Sequence, residues 1–432
     1  MIAVPANQAG SSRPSSIWSI WFDQARGVHN LDLAAVLLAV VFPWSTTATV
    51  IVATCWVFGL ILTLEVGAFL RVLKRPACIL PIAVAALALI GMAWSDAAWS
   101  ERLYAAGPAA RLLVLPLLIY HFERTPRGMW VCIGFLVSCL LLMAISWVVA
   151  FDPALSLKPY FSRGPYDPAN GIAVKNYIDQ SQEFMLCAVV LAYPALAYQR
   201  SNRIRIAVLC AAISLSFLVN MMFVVISRTT LVTMPAMLAV FALMHLRLRT
   251  AIAAFCAVVL LAALVWSVSP HLQATVMKFF NDYRYTTVQN NESGMGSRLI
   301  YWGKSLGFIE AAPVIGHGTG STRGLFEKAA VGERGAHALV VSNPHNQTLA
   351  VAIQWGVVGV VLLYAMWLVH LLLFRGNGLP AWIGLMVVVQ NILTSLFNSH
   401  LFDFQEAWIY VLGVGIAGGM VLRERRGKAG SA

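Results

Sequence analysis

Apolar runs long enough to cross a hydrocarbon core of ~30 Å recur along the whole chain, separated by short polar or Gly/Pro-containing breaks. Twelve spans are read near 31–46, 48–70, 77–94, 107–121, 129–150, 184–199, 204–226, 229–246, 250–268, 345–373, 378–397 and 405–422. The pattern predicts an all-α polytopic membrane protein. A β-barrel would instead show alternating segments of about ten residues. The expected organisation is a tail at 1–30, nine spans within 31–268 interrupted by a loop at 151–183, a large loop at 269–344, three spans within 345–422, and a tail at 423–432.

Inside the run 204–246 the only break is Ser227-Arg228-Thr229-Thr230, which predicts a tight turn with Arg228 at the outer lip of the bilayer. An arginine beside lipid is costly and so a functional candidate. Snorkelling of its guanidinium to lipid phosphates accounts for it equally well.

Composition agrees with the pattern. Hydrophobic residues make up 59% and charged residues 11%, with a mean hydropathy of +0.76, which excludes a soluble domain. The net charge of +12 does not indicate nucleic acid, because the basic residues sort by side. Short loops and tails on one face carry most of them, whereas the opposite short loops hold only Arg102, Arg111 and Arg228. The positive-inside rule then predicts cytoplasmic termini, with 151–183 and 269–344 on the other side. The first 30 residues lack an apolar h-region, so no cleavable signal peptide is expected. All seven cysteines fall inside predicted spans, which argues against a disulfide framework or a cysteine metal site.

Candidate chemistry concentrates in 293–360. Ser297 reads as an N-cap, followed by Leu299, Trp302, Leu306 and Ile309 on one face and ended by Pro313. Arg298 then falls in a first helical turn, where free N–H groups and the helix dipole favour an anion and a guanidinium suits phosphate. Gly316-His317-Gly318-Thr319-Gly320 reads as a flexible turn, and without a preceding strand it is no nucleotide fingerprint. Asn343 reads as an N-cap and Pro344 as the first residue of a helix running into the membrane. His345 would then lie in its first turn, where the dipole keeps the imidazole neutral and able to accept a proton, a role worth roughly 10²–10⁴ in rate. A histidine that merely caps or orders the loop reads equally well. Gly356 and Gly359 would let another helix approach closely.

The loop at 151–183 contains Lys158, Arg163 and Lys175, either a basic lining for an anionic substrate or solvated loop charges. There is no D-x-D, no H-E-x-x-H, no Cys/His cluster and no P-loop, so neither a metal nor a cofactor is expected. A metal or base role stays open for His400, Asp403 and Glu406. Two arginines and a histidine outside the membrane, next to lipid, suit a lipid-linked phosphate or diphosphate leaving group and a hydroxyl acceptor.

These residues resemble bacterial O-antigen ligases. His345-Asn346, nine residues, then Gly356-Val357-Val358-Gly359 is similar to the family's H-[NSQ]-x9-G-x-x-G motif. Ser227-Arg228 resembles its outer Ser-Arg turn, and Arg298, Trp302, Pro313, Gly316 and Gly318 resemble its R-x3-W and P-x-x-G-x-G segments. The twelve-span plan with a large loop before the tenth span extends the resemblance over nearly the whole chain.

The resemblance implies a membrane glycosyltransferase C-like fold and a metal-independent, inverting transfer. The donor would be O-antigen polysaccharide on undecaprenyl diphosphate, and the acceptor lipid A–core, at the periplasmic face of the bacterial inner membrane. It implies His345 as the catalytic residue, Arg228 and Arg298 as diphosphate ligands, and Arg163, Lys175 and Asn346 as candidates for secondary substrate contacts. Relatives polymerise O-antigen repeats or glycosylate protein serines, and these remain alternatives. The non-enzyme alternative is a polysaccharide or lipid transporter. That reading predicts charged or broken helices at mid-membrane, whereas ionisable residues are scarce in the predicted spans, Glu65 being the main exception.

Overall fold

The apolar runs fold as helices. The computed structural model describes residues 24–157, 171–225 and 227–429, and contains no strand among them. Among the described residues nine helices are long and apolar enough to cross a membrane, or ten if a bent helix pair is taken as one span. Two shorter apolar helices, Gly27–Val41 and Leu379–Thr394, account for the remaining expected spans.

The run 48–70 does not form one straight span. Helix α1 is Gln24–Val41, and α2, Thr46–Leu62, meets α3, Val66–Leu73, at an angle of 117°. Thr63 ends α2 by turning its hydroxyl back to the Gly59 and Leu60 carbonyls (3.3 and 3.1 Å), and the Glu65 N–H donates to the Tyr120 hydroxyl (2.8 Å). The break is therefore held by side-chain partners that the apolar pattern does not report.

The order continues with α4 (Pro76–Ile90), α5 (Trp99–Ala110), α6 (Val114–Phe122), α7 (Gly128–Phe151), α8 (Tyr177–Arg200), α9 (Ile204–Phe223), α10 (Arg228–His245) and α11 (Leu248–Val268). The long loop at 269–344 is itself helical: α12 (Pro270–Gln289), α13 (Gly296–Ala311) and α14 (Thr322–Ala330) precede α15 (Gln347–Leu373), α16 (Leu379–Thr394) and α17 (Phe404–Ala429).

Helix α17 is the centre of the bundle, buried at nearly every position from Gln405 to Val421. Its glycines bring α6 close: a Cβ at Gly415 would lie 2.5 Å from the Leu118 Cβ, and one at Gly419 would lie 2.6 Å from the Phe122 Cβ. Small residues at helix contacts serve this purpose in membranes, where dispersion rather than water exclusion drives packing. By contrast α11 is only 7% buried along its most apolar window, so it sits at the periphery with its side chains left for lipid.

Basic residues close the helix ends opposite Arg228. The Arg200 guanidinium donates to the His245 carbonyl (2.6 Å), and Arg425 donates to the Leu373 and Arg375 carbonyls (2.8 and 3.0 Å). Cations at helix C-termini satisfy free carbonyls and complement the dipole.

Candidate active site

Arg228 is the first residue of α10 and Arg298 lies in the first turn of α13. Two helix N-termini thus contribute one arginine each. Ser297, expected as the α13 N-cap, is instead a buried second residue of that helix; its Oγ accepts the Ser293 N–H (3.1 Å) from the preceding turn. That turn is pinned to α12 by the Ser293 hydroxyl, which donates to the Asp282 carbonyl (2.7 Å).

Asp282 is a site residue that sequence reasoning missed. Its Oδ2 accepts from Arg228 Nη1 at 2.7 Å, and Gly294 leaves space for that guanidinium, since a Cβ there would come within 3.2 Å of Nη2. Arg298 is half-buried and has no hydrogen-bond or ion-pair partner among the described residues. Burial and the neighbouring Arg228 both lower its pKa from the usual value, and a guanidinium remains a cation at neutral pH. Of the two guanidiniums only that of Arg228 has a carboxylate partner among the described residues. The Ser227 hydroxyl beside them is buried and also unpartnered among the described residues. One unpaired guanidinium and an unused hydroxyl donor at two helix N-termini suit an anion.

His345 stands one residue before the α15 N-cap, not in the first turn. The N-cap is Asn346, whose Oδ1 accepts the Leu349 N–H (3.1 Å) while its Nδ2 donates to the Leu396 carbonyl (3.2 Å). Asn346, expected as a secondary substrate contact, thus caps α15 and bonds the Leu396 carbonyl. Asn343, expected as the cap, instead accepts the His345 N–H on its Oδ1 (2.8 Å). This turn holds His345 in the left-handed region (φ 55°), a conformation costing roughly 1–2 kcal/mol for a residue with a Cβ.

Helix α13 ties the two halves of the site together. Trp302 donates its indole N–H to the Pro344 carbonyl (3.1 Å), and the Tyr301 ring lies 6.2 Å from the His345 ring. The R-x3-W spacing therefore puts Arg298 and the clamp on the histidine turn one helical turn apart. The His345 pKa is lowered, by burial first, with Arg298 lowering it further against the opposing Asn398 hydrogen bond. The ring is neutral at pH 7, for a reason other than the helix dipole.

The expected close approach at Gly356 is made by a turn rather than another helix. Gly356 (φ 57°, ψ −153°) breaks α15, and a Cβ there would meet the Val314 carbonyl at 2.4 Å. Backbone bonds are exchanged across the break: Val357 and Val358 N–H groups go to Pro313 and Val314 carbonyls (2.9 and 3.3 Å), and His317 and Gly318 N–H groups take the freed Ile353 and Gln354 carbonyls (2.9 and 2.8 Å). Residues 316–320, expected to be flexible, are thus a bonded wedge, further held by Thr319 to the Gly91 and Ala88 carbonyls (2.9 and 2.7 Å).

The remaining expected residues lie elsewhere. Arg163 and Lys158 fall outside the described residues. Lys175 turns its ammonium inward to the Phe42 carbonyl and the Gln405 Oε1 (2.7 Å), with a pKa lowered by burial, so the structure does not set it out as a basic lining. His400, Asp403 and Glu406 place one ligand atom each within 4.8 Å of one another, a donor set able to hold a cation. Within this set burial opposes the charge on His400, but Glu406 and Asp403 raise its pKa to about 9.

The O-antigen ligase family model matches residues 212–364. The match covers about a third of the chain and marks this stretch as similar to O-antigen ligases. A comparison with curated proteins finds no match. The ligase domain begins in α9, ends in α15 and contains Arg228, Arg298 and His345, whereas Asn398, Asp403 and all of α17 lie beyond it. The match supports ligase- or polymerase-type glycosyl transfer, and the apolar helices make a multi-pass membrane protein.

Proposed function

We propose that the protein is an O-antigen ligase that transfers O-antigen polysaccharide from undecaprenyl diphosphate to lipid A–core, at the periplasmic face of the bacterial inner membrane. The observation that carries this reading is the arginine pair with its single carboxylate: Arg298, half-buried and unpaired among the described residues, beside Arg228 and clamped through Trp302 to the turn bearing His345. The pair is short of negative charge by about one unit, which a diphosphate supplies.

In this reading the acceptor hydroxyl oxygen attacks the anomeric carbon of the donor sugar from the face opposite the diphosphate. The carbon–oxygen bond to the diphosphate breaks, its electron pair stays on the departing phosphate oxygen, and the acceptor proton passes to His345. The anomeric configuration inverts. Arg228 and Arg298 stabilise charge as it develops on the leaving group, the kind of contribution worth roughly 10²–10³ per donor. No metal is needed for these steps.

A transporter reading is favoured by one observation, the broken α2–α3 pair together with the break at Gly356. The deciding experiment uses purified protein in detergent with undecaprenyl-diphosphate glycan, lipid A–core and EDTA, without nucleotide. Glycan on the core lipid, lost in Arg228→Ala and Arg298→Ala, supports the ligase. Longer lipid-linked chains with unmodified core make it a polymerase, and no covalent product overturns the enzymatic reading.

A further inference from the structure

The amide of Asn398 stands between His345 and Asp403. Its Oδ1 is 2.7 Å from the His345 Nδ1, and its Nδ2 is 2.6 Å from the Asp403 Oδ2. We propose that Asn398 is a positioning residue that holds His345 as the Nδ1–H tautomer, leaving Nε2 as the atom that takes the acceptor proton. The proposal rests on the reading of His345 as the base.

Two independent hydrogen-bond chains determine which way the amide faces. The first runs through Asp403. A carboxylate only accepts, so the group facing it is the NH₂ of Asn398 and the group facing His345 is the carbonyl oxygen. On the far side of Asp403, His400 Nδ1 lies 3.4 Å from the same Oδ2.

The second chain runs through Asn343. Its Oδ1 accepts the His345 backbone N–H (2.8 Å) and the Ser399 hydroxyl (2.7 Å), so its Nδ2 is the atom left to face Asn398, at 3.3 Å. That NH₂ donates, which again requires an oxygen on Asn398 at this position. Both chains therefore set an acceptor against His345 Nδ1, and an acceptor there requires a proton on that nitrogen. The other tautomer would oppose a ring lone pair to the Oδ1 lone pairs in a half-buried place.

The test measures tautomer and rate separately in the full chain. Protein labelled with ¹⁵N-histidine in nanodiscs reports which ring nitrogen carries the proton, with the His345 signals assigned by their loss in His345→Gln. The wild type is expected to show Nδ1 protonated and Nε2 bare. Asn398→Leu removes the acceptor and is expected to move the ring towards the Nε2–H form. Transfer should fall about 10²-fold, within the range of a positioned base, with the donor KM within about two-fold because both arginines are untouched. Asn398→Gln keeps both the acceptor oxygen and an NH₂ for Asp403 and is expected to retain the Nδ1–H form, which covers the case in which the leucine variant does not fold.

An Nε2–H signal in the wild type overturns the proposal, as does Asn398→Leu transferring at the wild-type rate or Asn398→Gln losing the Nδ1–H form. Activity surviving in His345→Gln overturns the base reading instead, and the spectrum tells the two failures apart.

Discussion

Arg228 and Asp282 form an ion pair, 2.7 Å between Nη1 and Oδ2, at the place where the diphosphate is proposed to bind. The carboxylate is nearly buried and the guanidinium less so, with side-chain exposures of 11% and 29%. Asp282 therefore does two opposing things: it neutralises half of the arginine pair in the empty site, and it competes with the incoming anion.

Asp282→Asn separates these effects. The variant is expected to bind undecaprenyl diphosphate about five-fold more tightly, roughly 1 kcal/mol, because one competing charge is removed. Its Tm without lipid should fall, because two half-buried guanidiniums then face each other unscreened. Titration with the lipid and thermal unfolding in detergent measure the two; weaker binding in the variant would sink the idea of competition.

Arg298 is expected to matter for transfer and not for folding. Having no partner to lose among the described residues, Arg298→Ala should leave Tm within a degree or two while transfer falls by about 10²–10³. Arg298→Lys should recover little of that, since an ammonium lacks the planar fork that meets two phosphate oxygens. A lysine variant at near wild-type rate would mean that the site reads charge alone.

The pH dependence follows from the depressed pKa of His345. A lowered pKa keeps the ring in its proton-accepting form to lower pH than a free histidine near 6.5. The kcat/KM for transfer should therefore be flat through pH 7 and decline only as pH falls through a value below 6.5. His400, at about 9, stays protonated across that window and adds no limb of its own. A decline centred at or above 6.5 would contradict the burial and the Arg298 proximity that lower it.

Gly356→Ala tests the break in α15. The substitution adds a Cβ 2.4 Å from the Val314 backbone and forces a φ of 57° on a residue that disfavours it. A loss of several kcal/mol is expected, from overpacking together with backbone strain, read as a large fall in Tm or in folded yield. A near-neutral result would mean that the 313–318 wedge can withdraw at little cost.

Local signals made the membrane plan and the arginines legible. A run of apolar residues reports a span because hydrocarbon leaves a backbone no partner but itself, and an arginine interrupting a run stands out on cost alone. The clamp through Trp302 was half visible: the spacing from Arg298 was on the page, but the Pro344 carbonyl it reaches is 42 residues away. The caps were misplaced at Ser297 and Asn343 because several Ser and Asn residues in a row can each cap, and the contacts of the neighbouring helices decide among them.

The sequence by itself determined an all-helical chain in the membrane, with Arg228 in a break between apolar runs, Arg298 near a helix start and His345 close to the start of a long apolar helix. Tertiary structure alone decided what those residues face. Asp282 reaches Arg228 across 54 residues from α12, and Asn398 reaches His345 across 53 from the turn between α16 and α17. The break at Gly356 likewise exists because residues 313–318 arrive with hydrogen bonds to replace the ones it gives up. Periodicity is a short-range property of one segment, whereas a partner for a charge, a ring nitrogen or a broken helix is supplied by another segment, and only folding brings it there.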